Sequence, residues 1–226
     1  MMIAALVFFG LFILVSIIHL VFCFIENEKF RRITKPACLA LLAIAAILYN
    51  PTNPFIYIGA FVCMVADIFL IFKDDMKWLL IGTGCFFVGH VFYMIALTNA
   101  LPFQFPWWAY ILQFSVPAMM MFILFPLTER LGFASLIGNF YMVYLLFMII
   151  LGIVYIVNVP WNLTAGILFL VGYLTFFASD VLIIVFKFKR YPVRRSHFYI
   201  MITYLVAQAL IVCALCFASA GFPVFF

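Results

Sequence analysis

Asp67 and Asp180 are the residues of this chain best able to do chemistry. Each stands in an apolar run. Val65-Ala66 precedes the first and Ile68-Phe69-Leu70-Ile71-Phe72-Lys73 follows it; Ala178-Ser179 precedes the second and Val181-Leu182-Ile183-Ile184-Val185-Phe186-Lys187 follows it. The other acids, Glu26, Glu28, Asp74, Asp75 and Glu129, fall in short charged stretches. A carboxylate in hydrocarbon is costly, and as a rule it faces a bundle interior or a functional cavity. Two in matching contexts point to a paired site. Like charges brought together do not both ionise, so the pair can divide proton donation and proton acceptance. That suits hydrolysis through an oxocarbenium ion. It equally suits a proton-coupled transporter or lipid carrier with the acids as a relay.

The elements that must position these acids are membrane helices. The chain is 70% hydrophobic and 8% charged, with mean hydropathy +1.34, where a soluble domain carries about 25% charged residues. Apolar runs long enough for a bilayer of ~30 Å predict eight spans, at roughly 2–25, 34–50, 54–72, 78–98, 107–127, 134–157, 161–186 and 197–220. The expectation is an all-α integral membrane protein, a single eight-helix domain over 1–226. The first span lacks a basic leader and a small-residue cleavage pattern, so it reads as a retained helix. The acids stand on the third and seventh spans, a spacing that predicts a degenerate duplication of four plus four helices.

Charge gives the orientation. Every Lys and Arg reads as lying in a loop: Lys29, Arg31, Arg32 and Lys35 after the first span, Lys73 and Lys77 after the third, Arg130 after the fifth, and Lys187, Lys189, Arg190, Arg194 and Arg195 after the seventh. The positive-inside rule places these four loops in the cytoplasm and both termini outside. Trp78 at an inner boundary and Trp107, Trp108 and Trp161 at outer ones fit an aromatic belt. The net charge of +5 therefore sits on one rim, where it favours anionic lipid headgroups; nothing points to nucleic acid.

Helical rise turns sequence position into depth. Asp67 precedes Lys73 by ~9 Å and Asp180 precedes Lys187 by ~10 Å along their helices, so the two acids share a level near the cytoplasmic boundary. His19, Tyr141, Ser179 and Tyr204 fall in the same layer, with Gln208 one turn above Tyr204. His19 reads better as a helix–helix contact. His90 lies ~10 Å deeper than Asp67, too deep for simple contact with the acids. Gly82, Gly84 and Gly89 beside it allow close helix approach.

Other chemistries find little support. Zinc needs three or four N, O or S ligands, and the three His are scattered. The six Cys all lie in apolar runs, and Cys213-Ala214-Leu215-Cys216 has no second pair, so they read as small buried hydrophobes. No G-x-S-x-G nucleophile elbow is present.

Asp67-Ile68-Phe69-Leu70, followed by Phe86-Phe87-Val88-Gly89-His90-Val91-Phe92-Tyr93, resembles the paired signature of the YhhN-like membrane proteins, the lysoplasmalogenase family. Lys35-Pro36, Tyr141 seven before Met148, Gly166 to Phe169 leading to Ser179-Asp180, and Tyr204-Leu205-Val206-Ala207-Gln208 are similar in the same order. Ala66 departs from the Gly expected before the first acid. The resemblance implies hydrolysis of the vinyl ether bond of lysoplasmalogens to a fatty aldehyde and a glycerophospho-alcohol, with no metal or organic cofactor. Asp67 and Asp180 would divide the acid and water-activating roles. Tyr141, Tyr204 and Gln208 would position water and the glycerol hydroxyl, with Ser179 and Tyr93 also lining the substrate site. Lys35, helped by the 187–195 loop, would hold the phosphodiester, and the acyl tail would run toward His90. The expected partner is a lysophospholipid from the cytoplasmic leaflet, and the expected location a bacterial inner membrane.

Overall fold

A computed structural model describes residues 1–72, 75–101, 133–188 and 193–219, with isolated helical positions at 111, 115, 118, 119 and 122. The described residues are helical, with no strand. Seven long helices form among the described residues: α1 (Met2–Phe24), α2 (Glu28–Tyr49), α3 (Pro54–Phe69, continued by a 3-10 turn over Leu70–Phe72), α4 (Met76–Asn99), α5 (Phe133–Asn158), α6 (Leu163–Phe188) and α7 (Ser196–Ser219). All seven are long and apolar enough to cross a membrane. The expected span at 107–127, with Trp107 and Trp108, falls almost wholly outside the described residues. So do Lys73, Arg130, Lys189 and Arg190.

Local sequence sets the ends. Asn27 caps α2, its side chain accepting from the Phe30 backbone N–H at 3.4 Å. Asp75 caps α4 by accepting from the Lys77 N–H at 2.9 Å. Each cap satisfies an otherwise orphaned helical donor. Pro54 opens α3, where its missing N–H costs nothing. The cap at Asn27 corrects the expectation that the basic residues lie in loops. Lys29, Arg31, Arg32 and Lys35 belong to the first turns of α2, which begins well before position 34.

Side-chain contacts fix the directions. His19 meets Thr34 and Phe22 stacks on Phe30, so α1 and α2 are antiparallel. Lys35 meets Asp67, and Asn53 donates to the Ala96 carbonyl at 2.9 Å and to Ser219 Oγ at 2.8 Å. The start of α3 therefore lies beside the ends of α4 and α7. Phe87 packs on Phe140 and Tyr144, and Met94 contacts the Tyr144 hydroxyl. Hence α4 and α5 run in the same direction, and Asn99 and Phe133 lie at opposite ends of the bundle.

The starts of α2 and α4 and the turn before α7 gather their Lys and Arg at one end. There the Arg195 backbone N–H donates to Glu26 Oε1 at 3.2 Å, while its guanidinium lies 3.6 Å over the Phe24 ring. α7 packs against α1, α2, α3, α4 and α6 and buries eleven residues, including Tyr204 and Gln208. It is the axis on which the polar interior is assembled.

Candidate active site

Asp67 is 1% exposed, near the end of α3. A buried carboxylate needs charge and hydrogen-bond partners, and it has both. Lys35 Nζ stands 2.9 Å from Oδ1, and the Tyr204 hydroxyl donates to Oδ2 at 2.7 Å. Lys35 reaches inward because it lies two turns into α2; its side chain keeps 17% exposure. The ammonium is therefore not a free charge at the rim: one side of it is committed to Asp67, a pairing the sequence reading does not foresee.

Asp180 on α6 has a different setting. It is half-buried as a residue, yet its Oδ2 is fully buried without a hydrogen-bond partner. It faces Tyr141 of α5, close enough for the two to interact electrostatically. The Tyr141 hydroxyl is also buried and lies within hydrogen-bonding reach of the Asp180 side chain, without a bond of close geometry between them. Among the described residues no cation pairs with Asp180.

A ring cluster stands between the two carboxylate settings. Phe176, one turn before Asp180, packs edge-on to Tyr204 with centroids 5.7 Å apart, and Phe86 packs edge-on to both, at 6.1 Å from Phe176 and 5.9 Å from Tyr204. The His90 ring is 4.5 Å from Phe176 and 6.2 Å from Tyr141. His90 thus joins this layer through aromatic neighbours, despite its axial depth. Its Nδ1 lies 3.0 Å from the Tyr173 hydroxyl, and its Nε2 is buried without a partner.

The remaining expected residues divide. The Tyr93 hydroxyl donates to Gln208 Oε1 at 3.0 Å, leaving Gln208 Nε2 buried and unpaired. The Ser179 hydroxyl donates to the Ile200 carbonyl at 3.2 Å and is 1% exposed, so it is engaged in α6–α7 packing and points away from Asp180. His19 has both ring nitrogens occupied, by Thr34 at 2.7 Å and Cys23 at 3.4 Å, which is the helix–helix role expected. Gly89 and Gly82 do sit at close contacts of α4, with Cys63 and Leu70 respectively, whereas Gly84 has open space around it.

Two partners escaped the sequence reading. The Lys35–Asp67 ion pair joins two residues to which the sequence gives separate roles. Tyr173 carries no motif of its own in the sequence, although it stands seven residues before Asp180, on the same helix face. Among the described residues no group of three His, Cys, Asp or Glu is placed to hold a metal ion. Taken together, the interior offers a closed charged unit, Lys35–Asp67–Tyr204, and an open polar unit around Asp180, Tyr141 and His90.

No curated protein and no solved structure matches the chain. The model of the YhhN family matches residues 30–215. That stretch runs from the start of α2 into the last turn of α7 and includes every residue of both polar units. The chain is a multi-helix membrane protein of the YhhN family.

Proposed function

We propose that this protein is a membrane hydrolase that cleaves the vinyl ether bond of lysoplasmalogens to a fatty aldehyde and a glycerophospho-alcohol. YhhN membership is consistent with that activity. The observation that carries the reading is the unequal setting of two buried carboxylates. Unequal environments are how a site divides acid from base work between similar groups.

Asp67 is compensated by Lys35 and Tyr204 and serves as a fixed anion. Asp180 has no cation partner among the described residues and an unpaired, buried Oδ2. A buried carboxyl that faces a neutral hydroxyl and no cation is cheaper as the neutral acid than as the anion, so Asp180 is the proton donor. It protonates the β-carbon of the vinyl ether to give an oxocarbenium ion, which water captures. The hemiacetal then collapses to aldehyde. The Lys35 ammonium has three donors; one faces Asp67, and the others are left for the substrate phosphodiester. Gln208 Nε2 and the Tyr141 hydroxyl, neither of which makes a hydrogen bond of close geometry, are available to the glycerol hydroxyl and to water.

Asn99 and Phe133 lie at opposite ends of the bundle, which supports the reading of an eighth span and of a four-plus-four arrangement, and the start of α1 and the end of α7 lie opposite the basic end. By the positive-inside rule that end is cytoplasmic. A lysolipid of the inner leaflet would then enter beside Lys35.

The test is direct. Purified protein is incubated with lysoplasmenylcholine and aldehyde release is measured, with Asp180→Asn and Asp67→Asn in parallel. Release by the wild type, with loss in Asp180→Asn of roughly 100-fold or more, is expected. Full activity of Asp180→Asn would sink the acid assignment. No aldehyde from the wild type, with proton-driven solute uptake in liposomes, would replace the reading by a transporter.

A further inference from the structure

We propose that His90 is a catalytic base working opposite Asp180, and that Tyr173 is the residue that positions it. This rests on the hydrolase reading and completes it, because that reading leaves the activation of water without an owner. Asp67 is poorly placed for the task. One of its oxygens accepts from Tyr204 and the other faces Lys35.

His90 has the geometry of a held base. It is 0% exposed on α4, enclosed by the rings of Phe86, Tyr93, Tyr141, Tyr173 and Phe176 at centroid distances of 4.5 to 6.5 Å. Nδ1 is fixed by the Tyr173 hydroxyl at 3.0 Å. When that nitrogen carries the proton and donates to the Tyr173 oxygen, Nε2 presents its lone pair. Nε2 has no partner, and the Tyr141 hydroxyl and the Asp180 carboxyl have only each other, without a bond of close geometry. Tyr141 touches both other members of this trio, His90 by ring contact and Asp180 electrostatically. His19 provides an internal contrast. It is equally buried, but both of its nitrogens are engaged by neighbours, the pattern of a histidine that only packs.

The cycle closes without an outside proton. Asp180 gives its proton to the β-carbon; the carboxyl O–H breaks, a C–H bond forms, and the π electrons leave an oxocarbenium ion. Water adds to the cationic carbon while His90 Nε2 takes one of its protons, giving the hemiacetal and an imidazolium. The hemiacetal O–H proton then passes to the Asp180 carboxylate as the C–O bond to glycerol breaks. The departing oxygen takes the proton from Nε2. Acid and base are both restored, and one water has been consumed.

The experiment follows turnover of lysoplasmenylcholine in D2O by the wild type, His90→Gln and Tyr173→Phe, and examines unreacted substrate for deuterium at the vinyl β-carbon. When water capture is slow, the oxocarbenium ion returns a proton and the recovered alkene is labelled. His90→Gln is expected to lose roughly 100-fold in kcat with KM little changed, and to label recovered substrate. Tyr173→Phe keeps the ring and its packing, and is expected to show the same label with a smaller loss. A merely structural role would slow turnover without labelling. Aldehyde release by the wild type, with no label in either variant, overturns this proposal and leaves the hydrolase reading standing. No release by the wild type overturns both. Should His90→Gln fail to fold, labelling by Tyr173→Phe decides alone.

Discussion

The Tyr204 hydroxyl donates to Asp67 Oδ2 at 2.7 Å, although 137 residues separate the two in the chain. The bond forms because the end of α3 and the start of α7 share the basic end of the bundle, where Lys35 closes on the other carboxylate oxygen at 2.9 Å. Removing one partner of a buried ion pair leaves an uncompensated charge. Asp67 is 1% exposed and Lys35 17% exposed, so the two losses are unequal. Lys35→Met is expected to cost more stability than Asp67→Asn, on the order of 3 kcal/mol, because the lysine can extend toward water and the carboxylate cannot. The double variant should be more stable than Lys35→Met alone. Thermal unfolding in detergent measures all three, and equal losses for the two single variants would show that the pair is solvated.

The packing of α3 on α4 depends on two glycines. A Cβ on Gly89 would lie 2.5 Å from Cys63 Sγ and 3.1 Å from the Gly59 carbonyl oxygen, and one on Gly59 would lie 2.7 Å from the Tyr93 ring. Gly89→Ala therefore forces α3 and α4 apart, at a cost of about 1–3 kcal/mol. It should also disturb the neighbouring His90 and Tyr93. Cys63→Ala removes the nearest obstacle and should recover part of the loss. Gly84→Ala meets nothing within 4 Å and serves as the control. Melting temperatures of the four proteins check the ordering, which fails if Gly84→Ala and Gly89→Ala behave alike.

Much of this fold is legible in the sequence because a bilayer-length apolar run has few alternatives to a helix. The two acids are legible for the same reason, since a carboxylate in such a run needs an explanation. The start of α2 is not, because its first two turns carry Lys29, Arg31, Arg32 and Lys35 and by composition read as a loop. Capping by Asn27 extends the helix through them, carries Lys35 inward and makes the ion pair with Asp67 geometrically available. Ser179 fails for a different reason. Neighbours on a helix differ by about 100° around its axis, so adjacency to Asp180 turns it toward α7. Tyr173 is the converse, for a seven-residue spacing returns nearly to the same face. Depth counting treats each helix as a separate rod, so it could not show that Phe86, Phe176 and Tyr141 bridge His90 to the acid layer.

Ser179→Ala separates packing from substrate binding. The hydroxyl donates to the Ile200 carbonyl at 3.2 Å, which also accepts from the Thr203 hydroxyl at 2.9 Å, so its loss leaves that carbonyl a partner and costs no more than about 1 kcal/mol. Activity per folded molecule, in kcat and KM, is expected to match the wild type. A raised KM with unchanged stability would return Ser179 to the substrate site.

Tyr141→Phe tests the open polar unit from the side of α5. The ring contacts His90 and the hydroxyl faces Asp180, so phenylalanine keeps the packing and removes only the hydroxyl. That hydroxyl makes only a loose contact with Asp180, so its loss should cost less than that of a committed buried donor, under about 1 kcal/mol. If it orients the proton donor or water during reaction, its effect appears in turnover. A fall of about 10-fold or more in kcat, with KM nearly unchanged, is the signature of an interaction made in the transition state. Because Tyr141 and Asp180 act on one step, Tyr141→Phe in an Asp180→Asn background should add little further loss. Independent, multiplicative losses would place Tyr141 outside the Asp180 unit, and unchanged kcat in the single variant would remove it from the chemistry.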